Sequence, residues 1–203
     1  MNYKSYQKSR DAAWEILIRH RVSELPVDVM SICRAEHIYV FPYSKHTTEM
    51  GALGLSDHAL GTDGFSVRLA GRDLIFYDDR KPRQRQRFTV AHELGHFVNG
   101  DVSDRPTHRN TEPSDTDDEK ETAANRVACR ILSPACVLWK LGLTESEEIA
   151  RACDISMAAA RWRSLRMKEL LARDEEFRRT RGKSCFLQSP LERAVFFQFF
   201  PKG

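Results

Sequence analysis

Apolar positions along the chain recur first at helical spacing, then at strand spacing, then at helical spacing again. Residues 1–35 read as two helices. The first carries Ala13, Trp14, Ile16, Leu17 and Ile18, and the second is opened by Pro26, whose fixed φ suits a first helical turn. The segments 37–43, 51–55, 64–69 and 73–77 are short β-branched or aromatic runs separated by Gly, Asp and Pro, the pattern of a small antiparallel or mixed sheet. From Gln84 the helical spacing returns over 84–99 and 118–132, and Ser133-Pro134 opens a further helix as an N-cap followed by a first-turn proline. Thr144-Glu-Ser-Glu147 has the form of a capping box for a helix near 145–153, and Ser156 caps another that runs to about 171. With no internal repeat and no low-complexity linker, the expected fold is α+β, a small sheet packed on helices with a helical C-terminal portion.

Composition narrows the function classes. No run of 18 apolar residues exists and the start, Met1-Asn-Tyr-Lys-Ser-Tyr-Gln-Lys8, lacks the apolar stretch of an export signal, so no membrane span and a cytoplasmic location are expected. Five cysteines (Cys33, Cys129, Cys136, Cys153, Cys185) without a C-x-x-C pair indicate reduced, mostly packed thiols rather than disulfides or a cysteine zinc cage. A net charge of +3 is too small to indicate nucleic acid by itself. Locally the charge is uneven: 80–87 is basic, 112–121 carries six acids against Lys120, and 161–183 holds nine Lys/Arg against four acids, each expected to be a solvated face or loop.

The chemistry sits at residues 92–96, His-Glu-Leu-Gly-His, an H-E-x-x-H pattern whose two imidazoles, four residues apart, reach one zinc ion from a single helix. At about 100° per residue, His96 falls about 40° and Glu93 about 100° from His92, while Val90, Ala91, Leu94, Phe97 and Val98 form an apolar arc on the opposite side. A catalytic zinc takes three protein ligands and keeps a position for water, so a third donor is needed. The pattern with a third histidine six residues on fails, because position 102 is Val102. Glu121 is the best candidate: it shares a helix face with Asn125 and Ala128, a small residue that permits close helix approach, and Asn125 is placed to hydrogen-bond a ligating imidazole. Asp117, Asp118, Glu119 and His108 are rivals in the same stretch.

Arg87-Phe-Thr-Val-Ala-His-Glu-Leu-Gly-His96, followed by Glu121-Thr-Ala-Ala-Asn125 and Ile131-Leu-Ser-Pro134, resembles the ImmA/IrrE family of bacterial and phage metallopeptidases. Leu25-Pro-Val-Asp28, the strand at Gly64-Phe-Ser66 and Ile75-Phe-Tyr77 are similar to that family's upstream elements, so the likeness covers roughly residues 10–170. It implies a zincin-like core over 1–140, with His92, His96 and Glu121 as zinc ligands and Glu93 as catalytic base. It also implies a protein substrate, characteristically a helix-turn-helix repressor cut so that silenced genes are released.

In that scheme Glu93 takes a proton from water and passes it to the leaving amine. The donor to the developing oxyanion is open among Tyr77, His108 and Arg126, and substrate is expected in extended form along a sheet edge. Two other readings compete. Residues 141–183 have a helix-turn-helix look, with Arg161, Arg163 and Arg166 near a notional phosphate, so direct DNA binding is an alternative to plain helical packing. A zinc-binding regulator or toxin-antitoxin partner without turnover is the other, against which the unligated Glu93 argues. The aromatic tail, 184–203, matches nothing recognisable and is expected to pack on its own chain.

Overall fold

The structure, a computed structural model, describes residues 3–56, 61–103 and 115–201. It is α+β and divides into two compact units, residues 1–12 with 28–129 and residues 13–27 with 130–203.

In the first unit, helix α1 (Tyr3–Arg19) begins and helix α2 (Val29–Ala35) follows. Helix α2 starts at Val29 and not at Pro26, because Asp28 caps it: the carboxylate accepts from the Ser31 N–H at 3.1 Å and from Ser31 Oγ at 2.7 Å. A side-chain acceptor satisfies an otherwise unpaired first-turn donor, which proline cannot do. Strands β1 (Ile38–Pro42), β2 (Gly64–Leu69) and β3 (Arg72–Tyr77) form a mixed sheet of order β1-β3-β2, with β1 parallel and β2 antiparallel to β3.

The expected strand at 51–55 is absent. Helix α3 (Thr47–Ala52) occupies its start and stops at Gly54, whose φ of +68° suits only a residue without a side-chain clash. The Leu55 N–H then returns to Met50 O at 2.7 Å, and both side chains join Tyr43, Phe65, Val67, Leu74 and Phe76 in a buried cluster. A glycine-punctuated apolar run is thus a helix stop, not a strand. Helix α4 (Arg83–Asn99) packs on β2, β3 and α2, and helix α5 (Asp115–Leu132) belongs to this unit up to Cys129.

The second unit holds the end of α1 with α6 (Ala135–Leu141), α7 (Ser146–Cys153), α8 (Met157–Arg181) and α9 (Pro190–Phe199). Pro134 is itself the N-cap of α6, one place later than the Ser133 expected, with no side-chain cap bond. The capping box at 144–147 does not form. Glu145 is the N-cap without a side-chain bond, while the Thr144 hydroxyl donates to Glu145 Oε1 at 3.3 Å and its carbonyl accepts from Ser164 Oγ. Ser156 does cap α8, accepting from the Ala159 N–H at 3.2 Å, but the helix continues to Arg181, because no breaker precedes Gly182.

Two of the three arginines considered for phosphate are engaged within the chain: Arg163 donates to Ser133 O, and Arg166 pairs with Glu169 at 2.6 Å. In the tail, Phe186 stacks on Trp139 at 4.9 Å and Phe196 lies 6.0 Å from the same ring. Gln198 Nε2 donates to Leu17 O and Val22 O at 3.0 and 3.1 Å. Asp174 ties the end of α8 to this segment, accepting from Ser184 Oγ and the Cys185 N–H at 2.6 Å each and from Arg178 Nε at 2.7 Å. Cys33, Cys136 and Cys153 are buried, and burial pushes the Cys33 and Cys136 thiols up to about 12. Among the described residues no helix is long and apolar enough to cross a membrane.

Candidate metal centre

Helix α4 carries the H-E-x-x-H segment. Val90, Ala91 and Leu94 are fully buried, as the apolar arc requires, but His92 and Glu93 are buried too, at 6% and 2% exposure. The polar side of the helix is therefore enclosed instead of open, because α5 lies against it. Gly95 sets that approach: a Cβ at this position would stand 2.9 Å from Ala124 O and 3.0 Å from Ala124 Cα. Only a residue without a side chain lets the two backbones come so close. The Ala124 and Ala128 side chains are fully buried on the same helix, and Glu121 sits one turn before Ala124.

That packing brings three donors together. His92 Nε2 lies 3.1 Å from Glu121 Oε2, His96 Nε2 lies 3.2 Å from Glu121 Oε1, and the two Nε2 atoms are 3.1 Å apart. A tetrahedral cation with bonds of about 2.0–2.1 Å has ligand-to-ligand edges of about 3.3–3.4 Å, so the two imidazole nitrogens, and each of them with the carboxylate oxygen nearest it, are spaced much as ligands of one cation are. Two imidazole nitrogens and one carboxylate oxygen are also the donor types that suit a catalytic zinc.

The surroundings orient the donors. The Nδ1 of His92 lies 3.0 Å from Asn125 Oδ1, and an Nδ1–H donated to that oxygen leaves the Nε2 lone pair facing the cluster. Ser66 Oγ, from β2, donates to Glu93 Oε2 at 2.8 Å. A cleft of about 290 Å³ opens here, lined beside His92, Glu121 and Glu93 by Asp63, Gly64 of β2, Arg85, Phe88 and Thr89 of α4, and Asn125 of α5.

Charge is distributed accordingly. Hydrogen bonds from His92 and then His96 outweigh burial and hold the Glu121 carboxyl well below the usual carboxylate range. For His96, burial disfavours the charged ring, but the bond to Glu121 and the carboxylates of Glu93, Glu121 and Asp101 prevail and raise its pKa.

Of the residues singled out in the sequence, His92, Glu93, His96 and Glu121 come together, with Asn125 beside them. Glu119 is exposed and outside the cluster, and His108 and the side chains of Asp117 and Asp118 lie outside the described residues. Tyr77 and Arg126 do not line the cleft, and the Arg126 guanidinium stands over the Tyr6 ring at 5.8 Å. In the basic stretch 80–87, Arg80, Lys81, Arg83 and Arg85 are exposed as expected, with Arg80 paired to Asp78 at 2.8 Å and Lys81 to Asp63 at 3.2 Å, and Arg85 also pairs with Asp63; Arg87 departs from the expectation and is buried. Ser66 was missed, although strand alternation puts it on the same face as Gly64.

No curated protein matches the chain. The family model described as the IrrE N-terminal-like domain, a peptidase family, matches residues 44–164, more than half of the sequence and a span that holds both α4 and α5. The paired histidines, the buried glutamate between them and the carboxylate delivered by the next helix thus stand in a chain that belongs to the IrrE N-terminal-like peptidase family.

Proposed function

We propose that the protein is a cytoplasmic, zinc-dependent endopeptidase in which His92, His96 and Glu121 hold the metal and Glu93 is the general base. Its substrate in this reading is a helix-turn-helix transcriptional repressor, whose cleavage relieves repression. The observation that carries the reading is the pair of imidazole Nε2 atoms 3.1 Å apart, each within 3.1 or 3.2 Å of one oxygen of the Glu121 carboxylate, beside the buried Glu93 carboxylate in a cleft.

Zinc bound there supplies Lewis acidity, which acidifies water and polarises a carbonyl. Glu93, fixed through Oε2 by Ser66, accepts the proton of the attacking water and returns it to the leaving amine. Asn125 keeps the His92 ring in one tautomer and orientation, so its Nε2 lone pair stays directed at the cluster. Burial of Glu93 keeps bulk water from competing for that proton.

The sheet edge suits an extended peptide. Alternation along β2 gives Gly64, Ser66 and Arg68 the outward backbone groups; the Arg68 N–H already donates to Ser103 O at 3.1 Å, whereas Gly64 lines the cleft. A substrate segment added there lies beside Glu93 and the donors.

The test is to incubate zinc-loaded protein with repressors encoded next to its gene and read fragments by mass spectrometry, with Glu93→Gln as control. Fragments from the wild type alone support the reading. Intact repressors, with zinc bound stoichiometrically, overturn the substrate assignment.

A further inference from the structure

Helix α4 stops in a way that serves the site. Gly100, at φ +79°, donates its N–H to Phe97 O at 3.0 Å, and the next residue, Asp101, donates to His96 O at 2.9 Å. These are the two bonds of a Schellman motif, which sets the residue after the glycine beside the residue five places back, ordinarily as a hydrophobic pair.

Among the described residues four other helix ends make the same backbone bond between residues five apart: Val22 to Leu17, Leu55 to Met50, Leu143 to Leu138 and Ile155 to Ala150. All four couple two apolar residues. The fifth couples His96 to Asp101. There the Asp101 side chain, 16% exposed, brings Oδ2 to 3.7 Å from His96 Nδ1, the ring nitrogen opposite the one that faces His92 and Glu121. That oxygen is buried and makes no hydrogen bond among the described residues. The donor of Arg68 to Ser103 O anchors the segment that follows, so the Asp101 backbone is held on both sides.

We propose that Asp101 is a positioning residue for the metal centre, using the helix stop to aim His96. Its carboxylate accepts from His96 Nδ1–H once the pair closes by about 0.8 Å, to the roughly 2.7–2.9 Å of a charge-assisted bond. The Nε2 lone pair is then fixed toward the cation, as Asn125 fixes that of His92 with a neutral oxygen. The inference rests on the metal-site reading above.

The motif itself supplies the discriminating variant. Asp101→Leu puts at position 101 the apolar residue type that the other four turns carry there, so a purely structural Asp101 predicts equal or better behaviour. In the full-length protein we expect metal-free Asp101→Leu to melt at or above the wild-type temperature. Its zinc dissociation constant, measured by competition with a chromophoric chelator, should rise about 10–100-fold. The visible spectrum of its cobalt(II) form should change in band position and intensity. Asp101→Asn, which keeps an acceptor without the charge, should fall between the two. Zinc affinity and cobalt spectrum like wild type in Asp101→Leu overturn the proposal; if that variant does not fold, unchanged affinity in Asp101→Asn overturns it instead. Wild-type protein that binds zinc no better than Glu121→Ala refutes the metal-site reading itself, a result distinct from either.

Discussion

Replacing Gly95 by alanine tests whether helix approach assembles the site. The added methyl would stand 2.9 Å from Ala124 O, 3.0 Å from its Cα and 3.3 Å from its carbonyl carbon, all backbone atoms that cannot rotate away. Contacts of this kind relax at about 3.5–4.0 Å, so α5 must retreat by about 0.5–1 Å. Glu121 lies one turn before Ala124 and moves with it. Its edges to the two imidazoles, now 3.1 and 3.2 Å, then stretch past the roughly 3.4 Å that a tetrahedral zinc tolerates. The energetic signs are opposed. Overpacking costs about 1–3 kcal/mol, while alanine in place of glycine inside a helix returns about 1 kcal/mol. The net loss of stability is therefore about 0–2 kcal/mol, while zinc affinity should fall about 10–100-fold, the size seen when outer supports of a ligand are disturbed. Chelator competition and thermal unfolding of the metal-free protein read the two effects separately. A variant that binds zinc within about twofold of wild type would show that the 2.9 Å approach does not govern the position of Glu121.

Three further outcomes follow from the same geometry. Glu93→Gln should keep zinc at one equivalent by elemental analysis but lose peptide cleavage by about 100-fold or more, because an amide cannot accept the proton; retained turnover refutes the role. Glu121→Ala should lower zinc occupancy at equal total zinc, and unchanged stoichiometry moves the third ligand elsewhere. Asp174→Asn should destabilise the protein by about 2 kcal/mol at pH 7. Burial alone would raise the pKa of that carboxyl, but bonds from Ser184, Arg178 and the Cys185 N–H hold it at about 2, below its ordinary 3.8. A lowered folded-state pKa gives stability that is complete above pH 3.8 and lost as pH falls toward about 2, so urea unfolding of wild type and variant should converge across that window.

The metal donors were legible because helical spacing is a local property. His92 and His96 four residues apart, and Glu121 on one face with Asn125 and Ala128, need only the period of the helix to be grouped. What joins the two helices was partly legible in Ala128, but the decisive contact is Gly95 on Ala124, which spacing alone does not single out. Ser66 reaches Glu93 from a strand 27 residues earlier, a distance in sequence that no periodicity spans. The misread segment at 51–55 has the opposite cause. Met50 and Leu55 on either side of a helix-ending glycine resemble a short apolar strand until the backbone bond between them is known. Helix α8 ran past its expected end for a related reason: charged residues over 172–181 lower the apolar signal without lowering helix propensity.

The bond from Gln198 to Leu17 spans 181 positions, and residues 28–129 fall inside the loop that it closes. The nested segment has its sheet and paired helices on a continuous stretch, whereas the unit around it needs early and late parts of the chain to meet. Contacts between remote positions form slowly, since the intervening polymer must first be gathered in. During synthesis, the histidine-bearing helix is thus free to organise before the phenylalanine-rich helix has been made, and the surrounding unit is the later of the two to mature.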